Sequence, residues 1–241
     1  MNRLFWLFIL LLDWCLLERP AAAQSSFPSL PGLRRSYAPQ FEGWYTRVTA
    51  NNGEEVIGVV TGAFVGESAN CGQQSNSGYV AVLRRHVDTG ELEVYEHFPQ
   101  CNPVQPRASL SRLCNQHSKA SEVKWQAEGI GFVTHNETSI QLPCGVSLKV
   151  VMHNRRPWNT CFPSCGPEGM AKHLPCLDSH WNVYSLGSDA TFSLSTPTGS
   201  WSGVGAAHQE TNWGTRFPTA YVWSQGSTAD GTSCFALAGG K

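Results

Sequence analysis

Near the end of the chain, His208, Glu210, Asn212, Trp213 and Gly214 follow one another in a short run that continues through Phe217 and Tyr221 to Trp223. An acid, an imidazole, an amide and two indoles thus share a segment otherwise patterned as strand and turn. If Glu210 and Trp213 project from a strand end toward an apolar cavity, the chain holds an acid beside electron-rich rings, a pairing suited to olefin or aromatic chemistry. An ordinary strand would instead alternate Val, Ile or Thr with one polar face. The same residues also fit a Trp-rich core with a turn at Asn212 to Gly214. A second chemical segment, Phe41-Glu42-Gly43-Trp44-Tyr45, opens the first apolar run. Strand alternation puts Glu42 and Trp44 on one face and Phe41, Gly43 and Tyr45 on the other. Gly43 lets a ligand or another backbone approach closely.

These segments must be held by a scaffold that the rest of the sequence outlines. Residues 1–23 read as a secretory signal peptide: Arg3, the apolar run Leu4–Leu12, and a small-residue cleavage site at Ala21-Ala22-Ala23. The run is too short and interrupted to span a bilayer, and no later segment is expected to span one. Residues 24–39, rich in Ser, Pro and Arg, form a leader, and residues 40–241 form one β domain. The formal charge is −1, with no Lys/Arg cluster, so nucleic acid is not expected as a partner. Charged residues make up 15% of the chain and aromatics 11%, enough to build a core and line an apolar pocket.

Cys15 leaves with the signal, and Cys71, Cys101, Cys114, Cys144, Cys161, Cys165, Cys176 and Cys234 remain. In a chain that enters the endoplasmic reticulum, an even count implies up to four disulfides. The sequon Asn136-Glu137-Thr138 suits the same compartment.

Strands are expected over Phe41–Val48, Glu55–Val65, Gly78–His86, Glu91–Phe98, Val146–Met152, Asn182–Leu186 and Ala190–Ser195. Turns are expected at Asn51-Asn52-Gly53, Asp88-Thr89-Gly90, Pro197-Thr198-Gly199 and Ala229-Asp230-Gly231. No stretch holds a long helical period. The pattern predicts an all-β protein, an antiparallel barrel or sandwich, with long disulfide-rich loops over Cys101–Cys114 and Asn154–His180.

Other chemistries find little support. Cys161, Cys165, His173, Cys176 and His180 have the residue types of a zinc site, but export and the absence of paired knuckles favour disulfides, and no metal is expected. A serine elbow, a Walker loop and a dinucleotide fingerprint are all missing. His86, His97, His117, His135 and His153 read as surface or loop histidines.

The two chemical segments together resemble the tocopherol cyclase family, which opens on an F-E-G-W-Y strand and later carries E-x-N/D-W-G-x-x-F-P followed by aromatic-x-W. Here these are Phe41–Tyr45, Glu210–Gly214 with Phe217-Pro218, and Tyr221-Val222-Trp223. Pro157-Trp158, Gly166-Pro167, Leu174-Pro175 and Val183–Ser188 follow the same order, so the resemblance covers about Pro39 to Gly240. It implies a lipocalin-related fold, and an isomerase of the vitamin E type. In that reaction an acid protonates a prenyl quinol's double bond and the phenol oxygen closes on the cation to give a chromanol, without a redox cofactor. By the likeness, Glu210 or Glu42 is the proton donor, effective if an apolar pocket raises its pKa. Asn212 orients the donor or the phenol, and His208, standing where the family has an aromatic residue, replaces or assists the acid. Trp44, Trp213 and Trp223 face the cation, with Tyr45, Phe217 and Tyr221 lining the substrate site. The family pattern continues with strands beyond Lys241.

Alternatives from other classes are a secreted or lumenal lipid-binding β-barrel without chemistry, and a disulfide-stabilised recognition domain. The expected partner is a hydrophobic small molecule or lipid, with peripheral membrane contact as a further expectation. Localisation is to the secretory pathway, or to a plastid by a bipartite signal. Substrate tail and oligomeric state are not readable.

Overall fold

The computed structural model of the chain describes residues 41–67, 74–99, 124–158, 166–169, 177, 179–214, 220–228 and 233–240. Among them there are twelve strands and no helix. Alternation of side chains across each pleat explains most of them. In β1 (Phe41–Ala50), Glu42, Trp44, Thr46 and Val48 point to one face and Gly43, Tyr45 and Arg47 to the other, as the alternation predicts. The pattern is cleanest in β8 (Ser147–His153), where Leu148, Val150 and Met152 are buried and Ser147 and Lys149 exposed.

The others are β2 (Glu55–Glu67), β3 (Gln74–His86), β4 (Leu92–His97), β5 (Trp125–Ala127), β6 (Gly131–Val133), β7 (Glu137–Gln141), β9 (Ser179–Thr196), β10 (Gly199–Gly214), β11 (Tyr221–Ser227) and β12 (Cys234–Gly240). Ten form one sheet in the order β4-β3-β2-β1-β10-β9-β8-β7-β6-β5, every neighbour antiparallel. Gly53 and Gly90 take the left-handed conformation in two of the expected hairpin turns, with φ of 75° and 70°.

The sheet curls into a half-barrel. Trp125 on edge strand β5 donates its indole N–H to the Gly62 carbonyl of β2 at 3.2 Å. The Thr46 and Thr138 hydroxyls meet at 3.2 Å, and Gln209 Nε2 reaches the Thr134 carbonyl at 3.0 Å. One core lies on the enclosed side, with Val48, Ile57, Val59, Val80, Val82, Ile140, Leu148, Val150 and Leu194 all almost fully buried. Each such side chain contributes roughly 1.5–3 kcal/mol on leaving water. One end is tied shut by Arg84, which bonds Glu55 at 2.8 Å and Glu93 at 2.6 Å and lies 3.7 Å over the Trp201 ring. Thr198 in the β9–β10 turn donates to the same Glu93 at 2.7 Å, fastening edge strand β4 to that turn.

Three expectations need correction. Gly187-Ser188-Asp189 does not divide two strands: β9 is continuous, and register shifts opposite Ala207 to Glu210 absorb extra residues as bulges. Asn212 to Gly214 is not a turn, since Gly214 pairs with Phe41 and with Ser179 inside the sheet. The disulfide-rich framework is not supported. No disulfide joins two described residues, and Cys144 is an exposed free thiol. Cys71, Cys101, Cys114, Cys161, Cys165 and Cys176 lie outside the described residues, as do the signal peptide, the leader and most of both long loops. Strands β11 and β12 form a separate hairpin over the outer face, where Trp223 meets the Tyr45 ring edge-on at 5.3 Å and Cys234 lies against Gly187. No helix among the described residues is long and apolar enough to cross a membrane.

Candidate functional site

Both chemical segments come together, because β1 and β10 are direct neighbours. Glu42 stands opposite Trp213, Trp44 opposite Thr211, and Tyr45 opposite Glu210. Cross-strand partners point the same way. The two acids therefore project from opposite faces of one wall, and the predicted site divides into two clusters.

The inner cluster begins at Glu42, 5% exposed. Trp44 donates its indole N–H to Glu42 Oε1 at 3.2 Å, while Oε2 is buried with no partner. Burial pushes the carboxyl from 4.5 to about 7, against the opposing pull of the Trp44 hydrogen bond and the Lys124 ammonium. Trp44 stacks on Tyr184 with centroids 5.1 Å apart, and Tyr184 meets His135 at 4.5 Å. Burial first, then Lys124 and Arg155, hold the His135 imidazole down at about 3, so it is neutral. Trp213 stacks on His180 at 5.4 Å, and His180 pairs with Glu168 at 3.0 Å. The Trp213 Nε1, Thr61 Oγ1, Gln209 Oε1 and His135 Nε2 atoms are also buried without partners.

The outer cluster centres on Glu210. Its Oε2 takes His208 Nε2 at 2.9 Å and the Trp181 indole N–H at 3.0 Å. Tyr45 lies beside His208 with its phenol raised well above its ordinary value, chiefly by burial, and Trp223 of the hairpin roofs it. Asn212 belongs to this face: its Oδ1 occupies the space where a Cβ on Gly43 would sit, 2.6 Å away. The close approach that Gly43 permits is thus made by Asn212, which orients neither Glu42 nor a ligand on the inner face. Tyr221 is half-buried in the hairpin, and Phe217 lies outside the described residues.

Comparison with known proteins adds little. No protein-family model and no curated protein sequence matches the chain. Among solved structures, a provisionally assigned AttH protein from Nitrosomonas europaea is similar at 12% identity, covering 88% of this chain and 71% of its own, with a TM-score of 0.49.

Sequence reasoning missed Tyr184, His135 and Trp181. Tyr184 stood inside the Val183–Ser188 run and faces inward in step with His180 and Asn182, but the bulges that begin there break the period over the rest of the run. His135 is 7% exposed rather than a surface histidine, because the turn that carries it is folded under β10. His86 and His97 are half-buried, His153 is exposed, and His117 lies outside the described residues. A cleft of about 730 Å³ follows β5 to β7 and another of about 240 Å³ lies near His153 and Arg156; neither is lined by Glu42 or Glu210. Chemically, the inner cluster offers a protonatable acid among aromatic rings, and the outer one a carboxylate whose contacts are already made.

Proposed function

We propose that the chain is an acid catalyst acting on an olefinic bond of an apolar ligand, with Glu42 as the proton donor and prenyl-quinol cyclisation to a chromanol as its reaction. The observation that carries this is the Glu42 carboxyl, which is buried, pushed to about 7, and holds one oxygen without a partner. A donor with a pKa near the working pH is half-loaded with its proton and still acidic enough to release it. The proton passes to the alkene carbon, the π electrons forming the new C–H bond and leaving a tertiary cation. The quinol oxygen then forms the C–O bond, and its proton returns to the Glu42 carboxylate. Substrate and product are isomers, so nothing is oxidised. Trp44, bonded to the acid and stacked on Tyr184 by one face, offers its other face to the cation.

Glu210 takes no part in this proposal, since His208 and Trp181 already occupy its Oε2 on the other face. The test is incubation of purified protein with a phytylbenzoquinol and detection of chromanol by mass. Glu42→Gln should abolish product while Glu210→Gln retains it. No product from the unaltered protein, or equal product from Glu42→Gln, overturns the proposal.

A lipid-binding barrel without chemistry is the second reading, favoured by the same unpartnered inner atoms, which a hydroxylated lipid would satisfy without reacting. Lipid that co-purifies with protein incapable of turnover would select it. The secretory address of residues 1–23, or its bipartite plastid alternative, belongs to the same proposal, and a fluorescent fusion of residues 1–40 tests it.

A further inference from the structure

The histidine that the proposed reaction does not use is placed with care. His135 sits in a tight turn in which the Thr134 hydroxyl accepts the backbone N–H groups of Asn136 and Glu137 at 3.2 and 2.8 Å. Gln209 of β10 clamps that turn from across the half-barrel, donating to the Thr134 carbonyl at 3.0 Å and the Thr46 hydroxyl at 3.3 Å. The neighbouring Thr138 and Thr46 hydroxyls meet at 3.2 Å, a second tie between the turn and β1. The ring packs against Tyr184, tilted by 34° with centroids 4.5 Å apart, and Tyr184 is the same ring that stacks on Trp44, which in turn holds Glu42. Its Nε2 ends this chain of contacts buried and without a partner.

A buried polar atom left unpaired costs about 1–3 kcal/mol. Packing alone would be served as well by Phe, which stacks without that cost. We infer that His135 Nε2 is the acceptor for a hydroxyl group of the ligand bound on the inner face, which makes His135 the residue that selects hydroxylated over hydroxyl-free ligands. The imidazole's neutrality at ordinary pH, a consequence of burial and of the Lys124 and Arg155 charges, leaves one ring nitrogen free to accept. This rests on the reading of the inner face as a ligand site, and not on catalysis there.

The experiment compares geranylhydroquinone with geranyl-p-xylene, in which methyl groups of similar bulk replace both hydroxyls, by quenching of tryptophan fluorescence in the full-length protein. The hydroquinone should bind about tenfold more tightly, as expected where a site built for a hydrogen bond meets a ligand lacking the donor. His135→Phe, which keeps the stack on Tyr184, should retain a cooperative thermal melt and bind both compounds equally. Equal binding by the unaltered protein, a preference that survives His135→Phe, or no binding of either compound overturns the inference. A His135-dependent preference in protein that forms no chromanol upholds the inference and overturns only the catalytic proposal.

Discussion

Replacing Glu42 by Gln should make the protein more stable at alkaline pH. The carboxyl's pKa is about 7 in the fold against 4.5 ordinarily, so the folded chain keeps a proton that the unfolded chain has lost between those values. Stability therefore rises as pH falls through about 7 and is complete below about 4.5, the reverse of the usual carboxylate. At 1.36 kcal/mol per pH unit the ionised carboxylate costs the fold about 3 kcal/mol at pH 8. His135 works the other way: held at about 3 instead of 6.5, it stays neutral in the fold, and its contribution, up to about 5 kcal/mol, is lost as pH falls from 6.5 toward 3. Between about 4.5 and 6.5 the two slopes cancel. Glu42→Gln removes one of them, so its melting temperature should exceed the parent's by roughly 6–12 °C at pH 8. Below pH 6.5 it should fall steadily where the parent's curve is level. Thermal melts from pH 4 to 8.5 by circular dichroism decide the matter. Parallel curves for the two proteins would refute the buried-acid account of Glu42.

Two further outcomes separate the faces and the backbone from the inner acid. Glu210→Ala leaves His208 and the Trp181 N–H without their acceptor, so urea titration should show a loss of about 1–3 kcal/mol while chromanol formation persists. Gly205→Ala drives a Cβ to 2.3 Å from the Thr49 carbonyl oxygen, a backbone atom that cannot swing aside, and should lower the melting temperature sharply; Gly43→Ala meets only the tip of Asn212 and should change it little.

The sequence exposed the all-β class and the facing of β1 because aromatic and β-branched residues alternate there with period two. Glu42 and Trp44 could be assigned to one face from that period alone. What it could not show is which partner each strand would take. Only the pairing of Glu42 with Trp213, rather than with Glu210 or Asn212, separates the acids, and register is a long-range property. The three-residue strands β5 and β6 were missed because Gly129 and Gly131 punctuate them and three residues are too few to show alternation, and β7 because Ile140 is its one apolar residue, its other buried position being Thr138. His135 was misjudged because its burial comes from Gln209, 74 positions along the chain, and not from its neighbours.

The bulges of β9 carry an evolutionary consequence. They set two extra residues of β9 against β10, so that His180 in the upper half and Phe192 and Leu194 in the lower half face inward alike while Trp181 faces outward. Losing one residue there would rotate the upper half by a pleat, sending Trp181 toward the core and His180 outward. Paired deletions or insertions near Leu186 and Gly187 could be inherited harmlessly, whereas single ones would exchange the contents of the two faces at a stroke.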